Sequence, residues 1–224
     1  RQAIHMNMGN AKPIKDIVAA FKERFRSEDV CREILFQYKW PDGFCCPQCG
    51  YEKCYFVTTR SLYECKDCRA QTSLTAGTMM HNTNLPLQYW FLVIHLSAEG
   101  IIFSARWLSK TLRINYRSAH RMMHAVRRTM RSQNGFHLLS HFLKTKTDPE
   151  SQASRLPADP DKVIQRAKRK MLKKIDQFIR AVYRSVHLDF KQNYIDEFYF
   201  QWKNRIGDRD QLSHKLMGAC TFRY

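Results

Sequence analysis

The sequence predicts a mainly α-helical protein with one small β element clasped by cysteines, a helix-turn-helix, and further helices towards the C-terminus. Three observations point there. Apolar residues recur every three or four positions through most of the chain. Two Cys-x-x-Cys pairs, Cys46/Cys49 and Cys65/Cys68, lie fifteen residues apart and enclose short β-rich runs. The chain is also strongly basic, with 38 Lys plus Arg against 20 Asp plus Glu and a formal charge of +18.

Spacing of this kind suits a four-cysteine zinc site. Zn²⁺ takes four thiolates in a tetrahedron at about 2.3 Å, and each Cys-x-x-Cys turn presents two from one knuckle. Gly50 follows the first pair, where the knuckle needs positive φ. Between the pairs, Cys54-Tyr-Phe-Val-Thr-Thr59 and Ser61-Leu-Tyr-Glu64 read as strands rich in β-branched and aromatic residues. The element is therefore a zinc ribbon over 40–83 holding one structural Zn²⁺ through Cys46, Cys49, Cys65 and Cys68. A closed four-sulfur shell leaves no position for a reacting water. A redox dithiol is the rival, and two matched pairs with no βαβ pattern argue against it. Cys31, Cys54 and Cys220 read as buried or idle thiols, and Cys45 as the one substitute ligand by adjacency.

The charge balance calls for a polyanionic partner, nucleic acid before anionic membrane. The longest apolar run, Trp90-Phe-Leu-Val-Ile94, is too short to span a bilayer. With no secretory segment visible and paired Cys-x-x-Cys turns, the eight cysteines fit a reducing cytoplasm better than a disulfide scaffold.

Taken in order, residues 1–10 read as a loose leader, and 1–39 as an N-terminal helical unit. Pro13 opens a helix with apolar positions 14, 17, 18, 21 and 25. Ser27 caps a second helix, with Glu28 and Asp29 in its first turn and Val30, Cys31, Ile34, Leu35 and Tyr38 inward. Trp40-Pro-Asp-Gly43 turns into the ribbon. Ser73 to Thr78 reads as a loop or short strand. A helical unit follows over 84–140. Its first helix is buried over Leu85–Ser97, with Asn84 near the cap and Gly100 as the stop. Ser104 caps Ala105–Leu112, Arg113-Ile114 turns, and Asn115 caps a helix to about Arg131. On that helix Tyr116, Ala119, Met123, Val126 and Met130 would pack inward.

Arg117, Arg121, His124, Arg128 and Arg131 form a second row, and no acidic residue occurs from Gly100 through Thr147. An inward row beside an all-basic row suits a recognition helix in a DNA major groove. The DNA-binding set read this way is Arg106, Lys110, Arg113, Asn115, Arg117, Ser118, Arg121, His124, Arg128 and Arg131, with Arg106 and Lys110 on phosphates. A helical hairpin with a solvated basic face is the alternative. Residues 141–160 read as a linker, and 161–224 as a C-terminal helical segment. Asp159-Pro160-Asp161 starts a helix whose inward residues include Ile175, Phe178 and Ile179, beside Arg169, Lys170, Lys173, Lys174 and Arg180. A last helix spans about Phe190 to Lys203, with Tyr194, Ile195, Phe198 and Trp202 inward. Gly207 to Tyr224 gives no reading.

Several of these motifs follow one another in an order that resembles a known family. Trp40-Pro-Asp-Gly-Phe44, Cys46-Pro-Gln-Cys-Gly50, Cys65-Lys-Asp-Cys68, Thr72-Ser-Leu-Thr-Ala-Gly-Thr78 and Leu85-Pro-Leu-Gln-Tyr-Trp-Phe91 precede Ser104-Ala-Arg-Trp-Leu-Ser109 and Arg117-Ser-Ala-His-Arg-Met-Met-His124. Together they look like the N-terminal half of zinc-ribbon, ISXO-like insertion-sequence transposases. Val182 to His187 and Tyr194 to Arg205 resemble the closing segment of the same family's DDE-type, RNase H-like nuclease. Between the two matches the family's first catalytic strand has no counterpart. Too few residues remain for a complete RNase H-like sheet or for the clustered carboxylates of two-metal chemistry. Asp196 and Glu197 fall at positions taken as structural, so no catalytic residue is carried over.

The resemblance implies a transposase-derived protein that binds duplex DNA, at terminal inverted repeats or regulatory sites, without cleaving it. It would be cytoplasmic and associated with a bacterial nucleoid, a homo-oligomer by analogy, with no membrane and no small-molecule substrate. The alternatives are a transposase whose DDE core is missing from this chain and a zinc-ribbon protein-interaction module.

Overall fold

The computed structural model describes residues 4–5, 14–133, 160–183, 190–204 and 208–221. Helix α1 (Ile14–Arg24) and helix α2 (Glu28–Lys39) lead into a three-stranded antiparallel sheet. Its strands are β2 (Cys54–Val57), β3 (Leu62–Cys65) and β4 (Gln71–Ser73), in the order β2-β3-β4. Next come α3 (Leu87–Ala98), α4 (Ala105–Leu112) and α5 (Tyr116–Gln133). Helices α6 (Pro160–Tyr183), α7 (Lys191–Lys203) and α8 (Arg209–Thr221) complete the described chain. The architecture is mainly helical with a small sheet at the cysteines, and the described residues form no complete RNase H-like sheet.

Ser27 caps α2 as its sequence demands, its hydroxyl accepting from the Val30 amide at 3.3 Å. Helix α3 is apolar on every side, so it must be enclosed. Leu87 and every residue from Trp90 to Ala98 are buried, and α1, α2, α5 and α8 pack around them. Asn84 does not cap α3, because Pro86 holds the N-cap and offers no side-chain acceptor. The Glu28 carboxylate of α2 does so instead, accepting from Leu87 N at 2.7 Å and Gln88 N at 3.2 Å. At the other end Gln201 donates to Ser97 O (2.7 Å) and Arg209 to Ala98 O (2.9 Å).

Four other expectations change. Ile4–His5, within the supposed loose leader, is a strand (β1) paired antiparallel with β5, Ile101–Ile102. The ribbon gains a third strand at Gln71–Ser73 before the turns that follow. The uninformative tail contains α8, started by Asp208, whose carboxylate accepts from Asp210 N at 2.9 Å. Its Leu212, Leu216, Met217 and Cys220 enter the main core. Helix α7 begins at Lys191, with Phe190 at its N-cap. The linker expected over 141–160 lies outside the described residues except for Pro160, which opens α6. One core cluster runs from Ile17 to Cys220 and includes Cys46, Tyr63, Cys65 and Leu74 of the ribbon. A smaller one joins Ile175 and Ile179 to Phe198.

Gly100 stops α3 at φ +78°, and a Cβ there would sit 3.3 Å from Arg209 Nη1 and Gln201 Oε1. Gly100→Ala should therefore cost about 1–2 kcal/mol from the left-handed backbone alone. A fall in the urea midpoint at unchanged slope checks this.

Candidate metal centre and basic helical face

The four predicted cysteines converge. Their Sγ atoms all lie within 4.8 Å of one another, with Cys46–Cys68 and Cys49–Cys65 both at 3.6 Å. A zinc tetrahedron with bonds of about 2.3 Å has sulfur–sulfur edges of roughly 3.8 Å. An all-sulfur donor set at this spacing could hold one zinc ion. Each knuckle is closed by the backbone: Gly50 N donates to Cys46 O, and Cys65 N to Ala70 O, both at 2.9 Å. Gly50 takes φ +77°, as anticipated. The second knuckle puts Arg69 into the same left-handed region at φ +59°, which its sequence does not announce. The Cys49 backbone amide holds the Cys46 thiol down at about 6, while hydrogen bonding among the crowded thiols holds Cys49 and Cys68 up. Cys45 is exposed and turned to the Gly50 carbonyl (3.8 Å), outside the quartet. Burial, with Glu28 adding to it, pushes Cys31 up to about 12.

An aromatic pedestal carries the ribbon. Trp40 stands 5.0 Å from Phe36, 5.0 Å from Phe44 and 5.4 Å from Tyr63, ring centre to ring centre. Beside it the Lys39 ammonium donates to Ser73 O, Leu74 O and Ala76 O at 2.9, 3.0 and 2.8 Å.

Helices α4 and α5 form the predicted pair. Ser104 caps α4 (Trp107 N to Oγ, 3.1 Å), and Asn115 caps α5 (Ser118 N to Oδ1, 2.7 Å). The turn between them holds Arg113 at φ +54°. Arg106 and Lys110 are exposed one turn apart on α4, and Arg113 and Asn115 are exposed in the turn. On α5, Arg117, Arg121 and Arg128 are exposed along one side, and Ser118 is half-buried. Arg121 also donates to His81 O at 3.1 Å. The Arg131 side chain lies outside the described residues.

Two assignments on α5 are corrected. Tyr116, expected inward, is 56% exposed at the start of the helix. His124, expected in the basic row, is buried at 4% exposure. It meets His120 Nε2 to Nε2 at 3.0 Å and Asn193 at 2.9 Å, beneath the Phe190 ring. Burial, then Arg127, His120 and Arg128, lowers its pKa to about 3.

Comparison with known proteins matches residues 26–71 to the transposase zinc-ribbon domain family. Over those residues the chain is similar to a transposase zinc ribbon. It is also 28% identical over 111 residues to an uncharacterised protein in transposable element ISH50 of Halobacterium salinarum. That alignment covers 47% of this chain and 37% of the relative, so the chain spans well under half the relative's length. No solved structure matches significantly. Among the described residues no helix is long and apolar enough to cross a membrane.

Behind the ribbon-bearing half, Arg127 is the residue that periodicity did not single out. It is 2% exposed and pairs with Glu197 of α7 at 3.0 Å. Tyr183 of α6 accepts from Arg127 Nη2 (2.8 Å) and donates to Glu197 (2.7 Å). Burial opposes the guanidinium's charge, but Glu197, Tyr183 and Tyr194 together outweigh it and keep the pKa raised. Glu197 therefore holds the helices together, and Asp196 accepts from Gln192 one turn away.

Two measurements check this site. Purified protein should hold about one zinc per chain by elemental analysis, one ion being what four cysteines in a closed shell take. Cys49→Ser should lose it and Cys45→Ser should keep it. The second concerns pH. His124 has a folded pKa below its unfolded value of about 6.5, so the unfolded chain binds the extra proton. The stability His124 contributes is present above about 6.5 and is lost as pH falls towards about 3. His120 is lowered too, again chiefly by burial. Between pH 6.5 and 5, His124→Gln should flatten the decline in unfolding free energy by up to about 1.4 kcal/mol per pH unit.

Proposed function

We propose that the chain binds duplex DNA through α4 and α5, at terminal inverted repeats or regulatory sites, and does not itself cleave it. One observation carries this reading. The exposed side of α5 bears Arg117, Arg121 and Arg128, while its opposite side is fixed in the core by Ala119, Met122, Met123, Val126 and Met130. A helix anchored behind and cationic in front, with an exposed capped N-terminus, has the form needed to enter a major groove. The absence of acid from Gly100 to Thr147 removes local repulsion of phosphate. The transposase zinc ribbon supports a nucleic-acid partner.

In this reading Arg117, Ser118, Arg121 and Asn115 face base edges. Arg106, Lys110, Arg113 and Arg128 face phosphates. His124 supports α5 from beneath and touches no DNA. The zinc ion keeps the ribbon folded and takes no part in chemistry. The protein works as a homo-oligomer associated with the nucleoid. The partial span of the ISH50 relative favours a second reading, in which this fold is the DNA-reading part of a longer transposase.

Fluorescence anisotropy with labelled duplexes, repeated across salt concentrations, tests the proposal. Affinity should fall steeply with salt, with a logarithmic slope of roughly −0.9 per neutralised phosphate. Arg117→Ala and Arg121→Ala should each weaken specific binding about tenfold, and Lys173→Ala with Lys174→Ala far less. Equal losses remove the recognition role of α5, and no binding at physiological ionic strength ends the proposal. Metal-dependent nicking of a repeat-bearing duplex by the purified chain would overturn the non-cleaving part.

A further inference from the structure

Beside the arginine row of α5 runs a second, apolar row that the duplex-binding reading does not use. Tyr116 and His120 lie one turn apart, ring centres 5.8 Å apart and tilted by 35°. Phe190, at the start of α7, stands edge-on to His120 at 5.1 Å. Tyr116 is 56% and Phe190 37% exposed, so rings from two helices line one open surface. Arg117 and Arg121 flank it on α5, and exposed Lys191 follows Phe190.

We propose that Tyr116, His120 and Phe190 form a stacking platform for unpaired nucleobases, at a frayed end or a single-stranded tail of the bound DNA. The inference rests on the DNA-binding reading and adds the state of the DNA. Exposed rings interleaved with cations fit a ligand that is anionic along its backbone and flat and apolar in its side groups. Burial, with Arg127 adding to it, lowers the His120 pKa, so at neutral pH its ring is an uncharged face and not a phosphate ligand.

Geometry decides between paired and unpaired bases. A major groove about 12 Å wide admits one helix. Helix α7 packs along α5, so when α5 enters the groove α7 stays at its rim. The Phe190 ring then stands outside the duplex, where a stacked and paired base cannot reach it. A base that has left the stack can, and it finds Tyr116 and His120 in line with Phe190.

The test compares one duplex in two forms, fully paired and with a short unpaired tail carrying 2-aminopurine. The tailed form should bind about tenfold more tightly, the worth of stacking a base on an aromatic ring, and its fluorescence should be quenched on binding. Tyr116→Ala and Phe190→Leu should bring the tailed form down to the affinity of the paired one and abolish the quenching. Circular dichroism checks that both variants fold. Arg117→Ala should weaken both forms alike. Equal affinity for the two DNAs, or a preference that survives both ring substitutions, overturns the platform while leaving duplex binding standing. Failure to bind either DNA overturns both proposals.

Discussion

A helix with no polar side still has polar ends, and α3 shows what that demands. Its backbone amides at Leu87 and Gln88 and its carbonyls at Ser97 and Ala98 lie where water is largely excluded, and each needs a partner. The partners are Glu28 from α2, Gln201 from α7 and Arg209 from α8. Three elements far apart in sequence are thereby drawn to one rod. Gly100 takes φ +78° beside Arg209 and Gln201, and the chain reverses tightly there. Helix α5 then packs back against the same rod, and α4 packs on α5.

Helix α5 inherits its orientation from this arrangement. Helices α3, α4, α7 and α8 all contact it, and the buried Arg127–Glu197 pair, closed by Tyr183, links it to α6 and α7. Removing one partner of such a pair leaves a charge stranded in the interior, at about 3–5 kcal/mol. The pair therefore fixes which side of α5 can face outward. That side carries Arg117, Arg121 and Arg128.

Much of this was legible in the residues themselves. The metal quartet was, because zinc geometry dictates cysteine spacing and little else competes for it. Helices α1 to α5 were, because their apolar periodicity is strong and Ser27, Ser104 and Asn115 mark their starts. The errors have a common cause. Helix α5 was read as having one narrow apolar row, whereas four neighbours bury a broad arc that includes His124, Arg127 and Thr129. Tyr116, at the very start of the helix, lies outside that arc. The pairing of Arg127 with Glu197 joins positions seventy residues apart, and nothing local encodes it. The capping role of Glu28 was hidden because an acid in a first turn already has a local explanation. Helix α8 did carry a signal, since Leu212, Leu216 and Cys220 recur every fourth residue, but its polar flanks obscured it.

Lys39 ties the ribbon to α2. An ammonium has three N–H bonds, and all three end on carbonyls at the end of β4 and in the loop after it. The Trp40 ring next to it packs against Phe36, Phe44 and Tyr63, so helix and sheet are joined by a polar and an aromatic contact side by side. Losing that one ammonium would leave three carbonyls in search of a new donor at the same moment.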